Sequence, residues 1–513
     1  MKTKERLLAV ALLVAMVLPA AAAEGAGVLT VAVQGEPQGL NLILTPAADS
    51  YQIVMYNIIE TLLRYTPEGE LVPWLASGYE VDEVGEETWY TFTLRSDVLF
   101  HDGTSLEADD VKYTFGRLLD PIVASPNAAN FEFVERIEVL GPQVVRFVTG
   151  GRAAPFLGYL ASAKGAGIVP EGADMDALRT APVGTGPFLL KEWVPGDHLT
   201  LAKNDAYWRP GVPALDEVRV RFVPDPAAML AALRAGDIDL ADKMLPEHAL
   251  ELAGDERFTV ATGSMNTVQL LALNHARSPF DNILVRRAIY HAIDRDEIIE
   301  VTVGRRDWGA PLGSHLVVPN PYYVDLVDMY PHDPERARRL LAQAGYPDGF
   351  ETTLYLPSVY EFHVRAGELI AAQLAEVGIR VSIDLIDFAQ WLDLVYTQWD
   401  YDMTVIGHDQ GPEPAAALAK PLERLRDDGS PGYYFQYGSP YVRGLLSRAK
   451  DTFDIGERKI LYAMVQTAIA SDVMAVWLQD IPQFEVMRRE VSGFVRLPMY
   501  LIDFSTLTLT PIP

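Results

Sequence analysis

Between Phe350 and Pro414 the chain alternates three short strand patterns with two helical ones, an order that few folds satisfy. The strand patterns are Phe350-Glu-Thr-Thr-Leu-Tyr-Leu356, Ile379-Arg-Val-Ser-Ile-Asp-Leu-Ile386 and Tyr401-Asp-Met-Thr-Val-Ile-Gly-His408, each rich in β-branched or aromatic residues. From Glu361 to Val377 the positions Ala366, Leu369, Ile370, Leu374 and Val377 recur at three- and four-residue spacing. Gly378 follows as the residue past the end, which predicts an amphipathic helix. Asp387 is an N-cap for a second helix carrying Phe388, Trp391, Leu392 and Val395 on one face. Short strand–helix–strand connections close as right-handed crossovers into a parallel sheet. Solutes bind such sheets beyond the carboxyl ends of the strands. Here those ends are Pro357-Ser-Val-Tyr360, Asp387-Phe388 and the run His408-Asp409-Gln410-Gly411-Pro412, so a binding site is expected there.

The first residues read as an address rather than as fold. Lys2, Lys4 and Arg6 precede the apolar run Leu7–Leu18 and then Pro19-Ala-Ala-Ala-Ala23, the order of a secretory signal peptide over residues 1–23 with cleavage near Ala23/Glu24. The run is shorter than the roughly 20 residues that span a bilayer. The chain has no cysteine, which excludes disulfides, thiol catalysis, cysteine-bound metals and a lipid anchor on a cysteine. An exported protein without an anchor is expected in a periplasm, retained by an outer membrane. The formal charge of −28 sets the chain against nucleic acid and anionic lipid as partners. With 513 residues it exceeds a single core and is expected to divide into domains.

Ahead of the strand–helix run, Val28–Val33 reads as a strand, Tyr51–Leu63 as a helix, Tyr79–Glu83 and Thr88–Leu94 as strands, and Glu107–Arg117 as a helix with acids in its first turn. Several runs here resemble a known family. They include Ile59-Glu-Thr-Leu-Leu-Arg-Tyr65, Leu71-Val-Pro-Trp-Leu-Ala76, Thr185-Gly-Pro-Phe-Leu-Leu190, Lys203-Asn-Asp-Ala-Tyr-Trp208, Leu233-Arg-Ala-Gly-Asp-Ile-Asp-Leu240 and Asp333-Pro-Glu-Arg-Ala-Arg-Arg-Leu-Leu341. In this order they are similar to the solute-binding proteins of peptide-type ABC importers, the family 5 group of dipeptide, oligopeptide and nickel binders. The resemblance implies an α/β periplasmic binding protein fold of two lobes around a hinged cleft, with an extra domain inserted in the first lobe. It implies lobe 1 over residues 24–57, 183–265 and 485–513, the inserted domain over 58–182, and lobe 2 over 266–484. The chain then crosses between lobes near Asn266 and near Glu485. The implied partners are a small-molecule or peptide ligand and the permease subunits of an ABC transporter, with the receptor a monomer and no cofactor.

Peptide-binding members hold the α-amino group on an acid shortly after the third strand, and dipeptide binders hold the α-carboxylate on a base near the end of the first. Here the acid's place falls at Gly411, with Asp409 two positions earlier, and Pro357-Ser-Val-Tyr-Glu-Phe-His363 contains no arginine; Arg365 follows in the helix. Dipeptide specificity therefore does not carry over. The candidate ligand-binding residues are Asp409, His408, Gln410, Gly411 and Gly407 on the third strand's exit, Tyr360 and Phe388 beside it, Asn266 at the crossing, and Pro46 and Ala47 in the turn before the first helix. No catalytic or metal-ligating residue is assigned. The motifs G-x-S-x-G, H-E-x-x-H and G-x-x-x-x-G-K are absent, and Ser447-Arg-Ala-Lys450 fits S-x-x-K without its partner K-T-G. A short peptide is the leading cargo; an opine, a sugar or a metal complex is the alternative. From another class, a hydrolase would use Asp409 and Glu413 as paired carboxylates.

Overall fold

The computed structural model describes residues 27–510 apart from Ala163. The signal segment expected over residues 1–23 lies outside the described residues. A single sheet of eleven strands runs through the molecule. In chain order these are β1 (Val28–Val33), β2 (Phe188–Val194), β3 (His198–Lys203), β4 (Glu217–Phe222), β5 (Leu240–Ala241), β6 (Phe258–Leu273), β7 (Ala310–Pro311), β8 (Phe350–Pro357), β9 (Ile379–Ile386), β10 (Met403–Asp409) and β11 (Ala475–Arg488). Their spatial order is β9-β8-β10-β6-β11-β5-β1-β4-β3-β2, with β7 paired to β11.

The strand–helix run folds as its pattern requires. β8 and β9 pair in parallel without a slip from Phe350↔Ile379 to Pro357↔Ile386, and β8 pairs with β10 in parallel at Leu354↔Met403 and Tyr355↔Thr404. The connecting helix spans Glu361–Glu376, and Gly378 takes the left-handed φ of 92° that only glycine adopts without strain. Asp387 caps its helix by accepting from the Gln390 amide, but after Trp391 the helix widens into a π-helical stretch, Leu392–Thr397. The third strand begins at Met403 instead of Tyr401 and carries Asp409 as its last residue.

Three apolar cores pack on this sheet. One draws on residues 29–220 with 240 and 487–507, a second lies within residues 268–478, and a smaller third joins Ala32 and residues 229–252 to Ile299, Val303, Phe484 and Val486. β6 and β11 pair antiparallel and reach into the first two regions, so the lobes are joined by two neighbouring strands. Their ladder breaks between Ser264 and Val268, opposite Asp480–Pro482, and Asn266 sits in the break at φ 58°. A bulge here interrupts the sheet where one lobe meets the other. Residues 76–149 add a separate four-stranded antiparallel sheet, Ala76–Val84, Glu87–Leu94, Val144–Thr149 and Val134–Gly141 in spatial order, whose apolar face belongs to the first core.

The helix expected over Tyr51–Leu63 is cut short to Ala48–Val54. Ile53 to Ile59 and Leu62 to Leu63 are buried whichever way they point, so the run carries no one-sided periodicity to sustain a helix. Tyr56 at φ 67° turns the chain, and the Asn57 and Ile58 carbonyls accept from the Phe188 and Gly186 amides at 2.9 and 3.0 Å. A Cβ at Gly186 would lie 2.5 Å from the Asn57 carbonyl oxygen, which is why a glycine stands there. The opened segment buries Glu60, which accepts from Trp74 Nε1 (2.6 Å), Tyr207 Oη (2.7 Å), Thr185 Oγ1 (2.9 Å) and Trp208 Nε1 (3.2 Å). Burial pushes this carboxyl above its ordinary pKa. Four sequence-distant motifs thus meet at one acid, which gives them a scaffolding role.

Candidate functional site

The carboxyl ends of β8, β9 and β10 open on a cleft of about 880 Å3. This is within the range of about 300–1,000 Å3 typical of small-ligand sites. Tyr360, Phe388, Gly407, His408 and Asp409 of the sequence-based set line it. Phe388 stacks on Trp391 with ring centroids at 5.8 Å and meets Tyr360 edge-on at 5.5 Å, so this wall is a continuous aromatic surface. Gly407 leaves room for its neighbours: a Cβ there would fall 2.8 Å from Thr267 Cγ2 and 3.3 Å from His363 Nε2. His408 Nε2 lies 2.7 Å from Tyr434 Oη, and its ring stands edge-on to His315 at 5.2 Å. Burial pushes His315 and His363 down to about 4, so both rings are neutral near pH 7. Asp409 is positioned by Thr267, its partner across the β6–β10 ladder, whose Oγ1 donates to Oδ1 at 2.8 Å. That fixes the acid as the last residue of β10, on the cleft lining.

The other five predicted residues do not line the cleft. Gln410 is consumed as a brace: its side chain donates to the His315 carbonyl and accepts from the Val317 amide at 3.3 Å, while its own amide donates to the Asn266 carbonyl at 2.7 Å. Gly411 offers its carbonyl to Asn320 Nδ2 at 3.2 Å. Asn266 is occupied by the break in β6, and its amide donates to Ser264 Oγ at 2.8 Å. Pro46 accepts from Lys164 Nζ through its carbonyl, and Ala47 caps the helix Ala48–Val54. Gln410 and Asn266 share a reason: beside the break in β6 they spend polar groups on the backbone that the break shapes.

The paired-carboxylate reading fails on geometry. Glu413 is outside the cleft lining, accepts from the Ala415 amide at its helix N-terminus and pairs with Arg458 Nη2 at 2.6 Å. Their side chains are 3% and 7% exposed, so neither can meet a solute. Among the described residues no group of three or more His, Cys, Asp and Glu side chains is arranged to hold a metal ion.

The facing wall comes from the strand ends beside the third core, to which Met244 and Phe484 belong, and was missed by reading only the strand–helix run. Gln34 directly follows β1, Lys243 follows β5, and Phe484 and Gln483 lie on β11. The same carboxyl-end rule, applied to the parallel pairs β1/β4 and β1/β5, finds Gln34 and Lys243. Tyr396 and Tyr433 complete the aromatic wall, with Tyr396 carried by the π-helical turn.

The two regions also touch outside the cleft lining. The Ala154 amide donates to the Lys450 carbonyl at 2.9 Å, Arg152 reaches the Asp451 carbonyl at 3.3 Å, and Phe453 meets Tyr90 edge-on at 6.0 Å.

Known proteins with this architecture agree. Over 477 residues, 90% of each chain, the sequence is 26% identical to the glutathione-binding protein GsiB of Pectobacterium atrosepticum. The solved PBP AgaA in complex with agropinic acid, from A.tumefacien R10, superposes with a TM-score of 0.73 at 29% identity, covering 95% of this chain and 99% of that one. The ABC transporter-associated periplasmic binding protein DppA of Helicobacter pylori, in complex with peptide STSA, gives 0.74 at 27% identity over the same shares. The model of the bacterial extracellular solute-binding proteins, family 5 (Middle), matches residues 70–428. The relatives named are binding proteins, the family model covers more than half of the sequence, and this chain belongs to the bacterial extracellular solute-binding proteins, family 5.

Proposed function

We propose that this protein captures a small organic solute, with short peptides as its leading class, outside the cytoplasm and delivers it to an ABC permease. The observation that carries the reading is the cleft of about 880 Å3, with an acid fixed at the end of β10 and a stacked aromatic wall beside it. Such a site holds an ammonium group on Asp409 by a charge-assisted hydrogen bond and an apolar side chain on Phe388 and Trp391. The glutathione-binding and peptide-bound relatives support the same class. An opine-type solute is the second reading, favoured by the agropinic acid complex of AgaA. Periplasmic location behind a signal peptide ending near Ala23, function as a monomer, and the division into lobe 1 (24–57, 183–265, 485–513), inserted domain (58–182) and lobe 2 (266–484) belong to this proposal. Separate cores within residues 29–220 and 268–478 support the distinction between lobe 1 with its insert and lobe 2, although lobe 1 and its insert share one core.

Titration calorimetry with glutathione and a panel of di- and tripeptides, joined to solution scattering, tests the reading. Binding of a peptide with a contraction in radius of gyration is the expected result. A protein that ignores every peptide but releases a non-peptide solute on denaturation removes peptides as the cargo. Turnover of a bound solute removes the receptor itself.

A further inference from the structure

Lys243 stands out among the cleft residues because its backbone is held in a conformation that a lysine does not favour. Its φ is 50°, left-handed, where a residue with a Cβ costs of the order of 1–3 kcal/mol. The surroundings enforce it from three sides: the Asp242 amide donates to Ala32 O at 2.9 Å, the Met244 amide to Phe484 O at 2.9 Å, and Gln34 Nε2 to the Lys243 carbonyl at 3.1 Å. Asp242 is itself anchored by Gln52 Nε2 at 2.7 Å and Gln483 Nε2 at 3.2 Å. The half-buried side chain lines the cleft, with Nζ 3.5 Å from the centroid of the Tyr500 ring. Among the described residues it makes no salt bridge. A rigidly aimed cation, held over an aromatic face and facing an open cleft, has the form of an anchor waiting for an anion.

We propose that Lys243 binds an anionic group of the solute, so that the cleft selects zwitterionic or acidic solutes, with this group on the β5 side and any ammonium on Asp409 opposite. The proposal rests on the solute-receptor reading and names the class of solute for that site. Burial draws the Lys243 ammonium below the ordinary lysine range, while the charges of Asp242, Asp49, Asp409 and Glu485 act in the other direction, so a solute anion competes with these acids for it. One further observation agrees with the proposal: the exit of β8, where a base would otherwise take a carboxylate, contributes Val359, Tyr360, Glu361 and Phe362 to the cleft and no cation.

The test compares di- and tripeptides as free acids with the same peptides as C-terminal amides, by calorimetry on the native protein, Lys243→Met and Lys243→Arg. The native protein should bind each acid at least tenfold more tightly than its amide. That ratio should fall to within threefold in Lys243→Met and return in Lys243→Arg, which a merely structural role for the residue would not produce. Equal affinities for acid and amide in the native protein, or an undiminished ratio in Lys243→Met, overturn the proposal while leaving the receptor reading intact. If no peptide binds, peptides fail as cargo, and the solute extracted from the purified protein decides. A solute without an anionic group overturns the anchor; one with such a group, bound at least tenfold less tightly by Lys243→Met, supports it. A preparation that retains no solute and binds no probe overturns both readings.

Discussion

Phe453→Ala separates hinge closure from folding. Phe453 lies between the helices Pro440–Asp451 and Ile455–Ser471, yet its half-buried ring packs against the first core and meets Tyr90 edge-on at 6.0 Å. Burying a phenylalanine fully is worth about 1.5–3 kcal/mol, so half burial supplies about 1 kcal/mol. An edge-to-face pair at this long separation adds about 0.5 kcal/mol, for a total of about 1–2 kcal/mol. If the contact forms only on closure, the loss falls on the closed state. Solute affinity then drops about five- to thirtyfold, because each 1.4 kcal/mol is tenfold. The melting temperature of the unliganded protein stays where it was, and scattering of that protein shows no compaction lost. Calorimetry and a thermal melt on the same preparation decide the matter. An unchanged affinity with a lowered melting temperature refutes the reasoning, because it makes the contact permanent and the lobes fixed.

Asp409→Asn should weaken an amine-bearing solute tenfold to a hundredfold in calorimetry, the effect of about 1.5–3 kcal/mol for a charge-assisted hydrogen bond; undiminished affinity makes Asp409 a passive wall residue. Glu413→Ala leaves Arg458 buried without its partner and should cost about 3–5 kcal/mol of stability in urea unfolding, whereas replacing both with leucine and methionine should recover most of it. Loss of solute binding without loss of stability would return Glu413 to the site. Stability should also depend on pH through Asp480, where burial pushes the carboxyl up to about 7, against hydrogen bonds from Ser264 Oγ and the Val318 amide and the charge of Arg496. A folded-state pKa above the unfolded value of about 3.9 means the folded protein holds the proton more tightly. The contribution is therefore full below about pH 4 and is lost as pH rises towards 7. Thermal melts from pH 4.5 to 7.5 should show this decline in the native protein and a shallower one in Asp480→Asn; parallel profiles would contradict it.

Three short amphipathic strand patterns and two capped helices were enough to determine the parallel β9-β8-β10 arrangement and to locate a site at its carboxyl edge. Every signal involved is local: period, cap and terminating glycine lie within a few residues of one another, and hydrophobic burial on one face then leaves a single register. Asp409, His408, Gly407, Tyr360 and Phe388 were legible as residues of the cleft lining for that reason. What the sequence could not supply was the use to which each polar group is put. Gln410 and Asn266 look like cleft residues until β6 breaks beside them and claims their hydrogen bonds. Glu413 reads as a partner for Asp409, four residues away, but Arg458 reaches it from the helix Ile455–Ser471 and buries it. The run after Val54 opens instead of continuing as a helix because Glu60 must meet donors from residues 74, 185, 207 and 208. Lys243 is 166 positions from Asp409 in the chain and enters the same cleft only because β6 and β11 join the two lobes. Such pairings depend on contacts between residues far apart in sequence, whose partners no local pattern specifies, and so the second wall of the cleft was decided by the tertiary structure alone.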